Sequence, residues 1–251
     1  MDKESPSSVL KLSKALYGLR QAPRAWYAKL DASLVELGFI RSSLEHAVYR
    51  RGDSVNYLLV GVYVDDLIIT GTSAEEIMAF KDEMHRLFKM SDLGLLSYYL
   101  GIEVKQENDE ITLCQRAYAE KILERTSLSG CNACHTPMET RLKLSKHDGA
   151  QKMDATEYRG VIGCLRYLVN TRPDIALAVG VASRFMEEPS KEHWALVKQI
   201  LRYVSGTTDY GCRYQKGIGT PELIGYSDSD LAGDVNDRKS TSSPGARRSR
   251  R

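Results

Sequence analysis

At 251 residues the chain has room for one large domain or two smaller ones, and an apolar share of 42% supports packed cores and excludes a disordered chain. The formal net charge is +2, so the chain as a whole exerts no strong pull on a polyanion. A nucleic-acid partner would have to be met by a local basic face.

The first predicted element is a helix from Pro23 to Leu37. Trp26, Leu30, Leu34 and Leu37 recur at three- and four-residue spacing, Pro23 suits a first turn, and Gly38 suits a stop. An antiparallel meander follows: Ala47 to Arg51, a turn at Gly52-Asp53, Asn56 to Tyr63, then Leu67 to Thr70. The Asn56–Tyr63 strand is apolar on both faces, which predicts a central position with helices on at least one side. Ser73-Ala74-Glu75-Glu76 has the form of a capping box, and the helix after it carries a stripe of Ile77, Phe80, Met84 and Leu87 or Phe88. Tyr98 to Lys105 and Ile111 to Gln115 form a second hairpin around Asn108-Asp109.

Beyond Tyr118 the pattern is helical, with predicted helices at 118–125, 155–169, 173–185 and 191–204. Asp154 and Ser190 are the predicted N-caps and Gly206 a stop. The polar, basic segment from Thr136 to Gln151 reads as a loop and as an internal boundary. A second break lies at Gly217-Ile218-Gly219-Thr220-Pro221, after which Leu223 to Asp228 reads as a strand. Pro244 is expected to stop any later strand, and the Arg-rich end from Ser243 to Arg251 is expected to be disordered.

The start of the chain shows no apolar signal region, and no uncharged apolar run reaches membrane-spanning length. A soluble intracellular protein, cytoplasmic or nuclear, is the expectation. The five cysteines (Cys114, Cys131, Cys134, Cys164 and Cys212) form no regular framework and read as free thiols. Cys131-Asn132-Ala133-Cys134-His135 matches a haem-attachment pattern and supplies three potential zinc ligands. Haem attachment needs export, and a structural zinc site needs a fourth ligand that no second Cys/His pair supplies at the usual spacing.

Asp65 and Asp66 carry the chemistry. They stand between the apolar runs Tyr57–Val62 and Leu67–Thr70, so they mark the tip of a hairpin. One reading is a polar turn, since Asp is common there. The other is a cation site, because adjacent carboxylates repel unless a positive charge neutralises them, and Mg²⁺ prefers hard oxygen ligands shared with phosphates.

Tyr63-Val64-Asp65-Asp66 between two strands resembles the catalytic hairpin of reverse transcriptases. The block from Leu16 to Tyr27, the block from Asp92 to Val104, Thr171-Arg172-Pro173-Asp174-Ile175, and Gly225 to Asp234 stand in the order of a copia-type retrotransposon Pol polyprotein. The resemblance implies an α+β right-hand polymerase palm, an antiparallel sheet with helices, over residues 1–135. A mostly helical thumb or connection over 136–216 would follow, then a fragment of an RNase H-like domain over 217–251.

The resemblance also implies RNA-directed DNA polymerisation on a primer–template of RNA or DNA with dNTPs, using two Mg²⁺ or Mn²⁺ ions. Asp65 and Asp66 would be the catalytic, metal-holding pair, Asp65 the stronger ligand. Arg20, Gln21 and Tyr63 would meet nucleotide and template, and Lys89 could approach the leaving pyrophosphate or simply be solvated. The family's third aspartate belongs to a strand before Leu16, where neither Asp2 nor Asp31 is a convincing substitute. This chain is therefore expected to be incomplete and inactive alone, with upstream Pol segments missing. Asp228 would be a vestigial RNase H metal ligand without its partners, so no ribonuclease H activity is expected. The departure from the family after Ser242, with Leu231 where Trp is usual, looks like truncation, frameshift or a gene-prediction artefact. The alternative is a non-catalytic nucleic-acid-binding remnant in which Arg116, Lys121, Arg125, Lys198 and Arg202 face phosphates.

Overall fold

The computed structural model describes residues 12–16, 18–140, 142–217, 223–229 and 242–248, the last two as backbone only. It is an α+β protein with antiparallel sheets, in two compact units divided between Leu95 and Leu96. The loop from residue 136, where the sequence suggests a boundary, lies in the second unit.

The first unit begins with helix α1 (Ala22–Glu36), which buries Leu30 and Leu34. It ends in a Schellman motif. Gly38 takes φ +83° and its N–H donates to the Val35 carbonyl at 3.0 Å, while the Phe39 N–H donates to Leu34 at 2.9 Å. Four strands follow in the order β1 (Ile40–Arg41), β2 (Val48–Gly52), β3 (Tyr57–Tyr63) and β4 (Asp66–Gly71), all antiparallel. Leu58, Val60 and Val62 of β3 are buried in alternation. They share a core with Leu30, Leu34, Phe39, Tyr49, Phe80, Met84 and Phe88, so both helices of the unit cover one face of the sheet. Helix α2 (Ala74–Leu87) is capped by Ser73, whose side chain accepts from the Glu76 N–H at 3.2 Å and donates to the Glu75 carboxylate at 2.7 Å. The last member of its stripe is Phe88, which is buried, while Leu87 is exposed.

The second unit holds a sheet of β5 (Tyr98–Tyr99), β6 (Ile102–Glu107), β7 (Glu110–Cys114) and β8 (Gly211–Gln215). The segment Tyr98–Lys105, expected as one strand, is two. Leu100 (φ +49°) and Gly101 (φ +80°) both adopt the left-handed region and fold the chain back in a two-residue turn. The Tyr167 hydroxyl donates to the Leu100 carbonyl and holds that turn. Helices α3 (Arg116–Arg125), α4 (Ala155–Leu168), α5 (Ala176–Ala182) and α6 (Lys191–Ser205) build the core of this unit, with 3₁₀ turns flanking α5 at Pro173–Ile175 and Ser183–Phe185. Asp154 and Ser190 cap α4 and α6, and Gly206 closes α6. Ser190 and His193 form a reciprocal capping box, with His193 also bonded through Nε2 to the Ser145 carbonyl at 3.0 Å.

β9 (Leu223–Ser229) pairs with β10 (Ser242–Arg248) in a two-stranded antiparallel ladder. This corrects the expectation that Pro244 stops a strand and that the Arg-rich end is disordered as a whole. Both strands of a two-stranded ladder are edges, where the missing proline N–H can face outward. Residues 249–251 lie outside the described residues.

Thr171-Arg172-Pro173-Asp174-Ile175 is the structural clasp of the helical unit. The Arg172 side chain is buried and donates to the Thr207 carbonyl and hydroxyl, both at 2.8 Å, and to Asp174 at 2.7 and 2.9 Å. The Tyr203 and Tyr210 rings lie within 5.6 Å of its guanidinium, and the Tyr203 hydroxyl donates to Asp174. Burial alone pushes the Asp174 carboxyl up, but Arg172 and the Tyr203 hydroxyl outweigh it and hold the group below the usual carboxylate range.

A depressed carboxylate adds stability that is present above its ordinary pKa, near 4, and is lost as pH falls through its lower folded value. In urea unfolding across pH, the stability difference between wild type and Asp174→Asn should therefore shrink below about pH 4. A difference that stays constant to strong acid would refute the assignment. Arg172→Ala should cost about 3 kcal/mol, because it strands a partly buried carboxylate. Val64 has φ +56°, a costly region for a β-branched residue. Val64→Gly should stabilise the chain by about 0.5–1 kcal/mol after glycine's larger unfolded-state entropy is subtracted. A urea midpoint that is unchanged or lower would show that the turn stores no strain.

Candidate active site: the Asp65-Asp66 hairpin

The hairpin tip follows from the register. Tyr63 pairs with Asp66, which leaves Val64 and Asp65 as a two-residue turn. Val64 has a positive φ and Asp65 a negative one, the sign pattern of a type II′ turn, whose first central position favours glycine. Asp65 and Asp66 are both exposed. Pairing puts Asp66 on the same sheet face as Tyr63, Gly61 and Ile68, opposite the face that buries Leu58, Val60 and Val62. Within this unit α1 and α2 lie on the buried face, so Asp66 stands at the end of the face they leave uncovered, with Asp65 beside it in the turn.

Trp26 is what the sequence reading missed in part. It appeared there only as the first member of the apolar stripe of α1. Its ring does pack at the edge of the core, 5.2 Å and edge-on to Phe88, but its indole N–H donates to the Val64 carbonyl at 2.9 Å. A tryptophan at the end of an amphipathic stripe has an apolar body and one polar handle, which was the available signal.

Arg20 and Gln21 lie in the turn that opens α1, with Gln21 at the N-cap, and both are exposed. Gly18 makes that turn possible with φ +90°. The structure links α1 to the hairpin through Trp26, five residues beyond Gln21. Asp31 is engaged elsewhere: it accepts from the Tyr49 hydroxyl at 2.6 Å, and Tyr49 and Tyr27 share a hydrogen bond at 2.9 Å. Burial and this carboxylate push the Tyr49 phenol well above its ordinary range. Lys89 is exposed just past α2. Asp2 lies outside the described residues, and Asp228 belongs to β9, described as backbone alone.

The basic residues of the helical unit are partly committed. Arg116 pairs with Glu120 at 3.0 Å, Arg125 contacts the Cys164 sulfur at 3.7 Å, and Arg202 donates to the Asn132 carbonyl at 2.7 Å. Lys121 and Lys198 are exposed. Among the described residues no group of three or more His, Cys, Asp and Glu is placed to hold a metal ion, whether around Asp65-Asp66 or around Cys131, Cys134 and His135. Nor is any helix among them long and apolar enough to cross a membrane.

Comparison with known proteins agrees with this geometry. The family profile described as reverse transcriptase (RNA-dependent DNA polymerase) matches residues 1–140. The chain is 44% identical to the retrovirus-related Pol polyprotein from transposon RE1 of Arabidopsis thaliana and 42% identical to that from transposon RE2, over 96% of its own length in each case. It is 41% identical, over 93% of its length, to the retrovirus-related Pol polyprotein from transposon TNT 1-94 of Nicotiana tabacum. It spans only 16%, 16% and 18% of those three relatives. No solved structure matches. With a profile match across more than half of the chain and an exposed Tyr-Val-Asp-Asp turn, this protein belongs to the reverse transcriptase (RNA-dependent DNA polymerase) family, as carried in the Pol polyproteins of copia-type retrotransposons.

Proposed function

We propose that the first unit is the palm of an RNA-directed DNA polymerase and that Asp65 and Asp66 are its cation-holding residues. The observation that carries this reading is the exposed, like-charged pair on a strained turn in a reverse transcriptase family member. The donor set fits the ion. Two adjacent carboxylates supply hard oxygens, and a divalent cation removes their mutual repulsion. Asp65 and Asp66 would hold Mg²⁺ or Mn²⁺, which when bound neutralises charge on nucleotide phosphates. Arg20, Gln21 and Tyr63 would orient the nucleotide and template, and the partners would be a primer–template and dNTPs.

The pair would be two of the three carboxylates of a working set. Among the described residues no third carboxylate joins it. The helical part of the second unit would act as thumb or connection, and β9 with Asp228 as the start of an RNase H-like fold without ribonuclease H activity. The setting would be intracellular.

The expected result of titrating Mn²⁺ into the ¹⁵N-labelled chain is paramagnetic broadening confined to amides near Asp65 and Asp66. Asp65→Asn with Asp66→Asn should abolish it. Broadening that survives the double substitution would exclude this pair as the ligands. In primer extension with Mg²⁺ or Mn²⁺, the chain alone should yield no template-directed product. Synthesis that Asp65→Asn abolishes would overturn the incompleteness and leave the polymerase reading stronger.

A further inference from the structure

We propose that Trp26 is a positioning residue for the acidic turn: its indole N–H holds the Val64–Asp65 peptide in the one orientation that carries Asp65 to its observed place. The inference rests on the reading of Asp65-Asp66 as a cation site. The two favoured forms of two-residue hairpin turn differ chiefly by a flip of the central peptide. With φ positive at both central residues the turn is type I′; with φ positive only at the first it is type II′. Here the first central residue is Val64 at φ +56°, followed by Asp65 at negative φ. Valine is a poor occupant of that position, whereas aspartate tolerates positive φ better than most residues. Nothing in the intrinsic preferences of these two residues therefore selects the observed form.

The selection comes from outside the turn. The flip would swing the Val64 carbonyl away from the indole, which donates to it at 2.9 Å. Trp26 is itself fixed. Its ring packs edge-on to the buried Phe88, and the neighbouring Tyr27 is tied to Tyr49, which is tied back to Asp31 of the same helix. The second unit repeats the device. Among the described residues, a second two-residue hairpin turn with a non-glycine residue at positive φ has the Leu100 carbonyl held by the Tyr167 hydroxyl of α4. There both central residues have positive φ, so the same kind of anchor accompanies the other turn form. An aromatic donor on a helix thus accompanies the carbonyl of both turn residues, Val64 and Leu100.

Trp26→Phe keeps a ring against Phe88 and removes the donor. Tyr27→Phe is the control, since it loosens α1 through Tyr49 without touching the turn. In the full-length chain, Mn²⁺ affinity read by paramagnetic broadening should fall about 3- to 10-fold in Trp26→Phe, the worth of one hydrogen bond. It should stay at the wild-type value in Tyr27→Phe, with the two variants matched in melting temperature. Wild-type affinity in Trp26→Phe overturns the inference while leaving the cation site intact. If the wild type binds no Mn²⁺, the cation reading fails by itself, and the ³J(HN,Hα) coupling of Asp65 judges Trp26. A coupling changed in Trp26→Phe supports the peptide-holding role, and an unchanged one overturns it. Should Trp26→Phe not fold, the wild-type indole proton decides: protection of Trp26 Nε1–H from exchange supports the bond, and free exchange overturns it.

Discussion

The period-two burial of β3 is the constraint on which the first unit depends. Leu58, Val60 and Val62 must meet Leu30 and Leu34 of α1 and Phe80 and Met84 of α2, which fixes one register. A slip of one residue would turn those three side chains outward and bring Tyr57, Leu59, Gly61 and Tyr63 against the helices. Because the register cannot slide, the chain reverses at Val64-Asp65, and Asp66 emerges on the side the helices leave uncovered. Site geometry is in this sense a by-product of core packing. The same side chains that remove apolar area from water decide where two charges appear.

The second unit is organised differently. Its largest cluster is helical, and the residue that locks it is charged: Arg172, buried among a carboxylate, a threonine and two phenol rings. A guanidinium tolerates such burial because its donors are matched by fixed acceptors in one plane. The stretch from Thr171 to Ile175 therefore has a structural account complete in itself.

Much of this was legible in the sequence. α1 was visible in the spacing of Trp26, Leu30 and Leu34, and its end in Gly38, because a single apolar stripe and one glycine carry that information locally. Ser73, Asp154 and Ser190 announced their helices because a cap bonds within its own first turn. The acid pair was legible because only a turn could accommodate two charges between apolar strands. Two features were hidden for opposite reasons. The reversal at Leu100-Gly101 interrupts a stretch of apolar and aromatic residues, and only an anchor 67 positions away, Tyr167, accompanies a leucine there in the left-handed region. β10 was obscured by Pro244, which forbids a central strand but not an edge. The second role of Trp26 was out of reach for the same long-range reason, since stripe spacing reports the buried ring and says nothing of where one N–H ends.

Among the described residues the order β1-β2-β3-β4 leaves β4 last in its sheet, with a row of outward backbone donors and acceptors beside the acid pair. A six-residue edge of this kind is half of a ladder. By mass action, any extended backbone that zips onto it adds its binding free energy to the folding free energy of the whole unit. The thermodynamic stability of this unit is thus not a fixed property of the sequence but rises with the supply of strand-forming chain, native or stray.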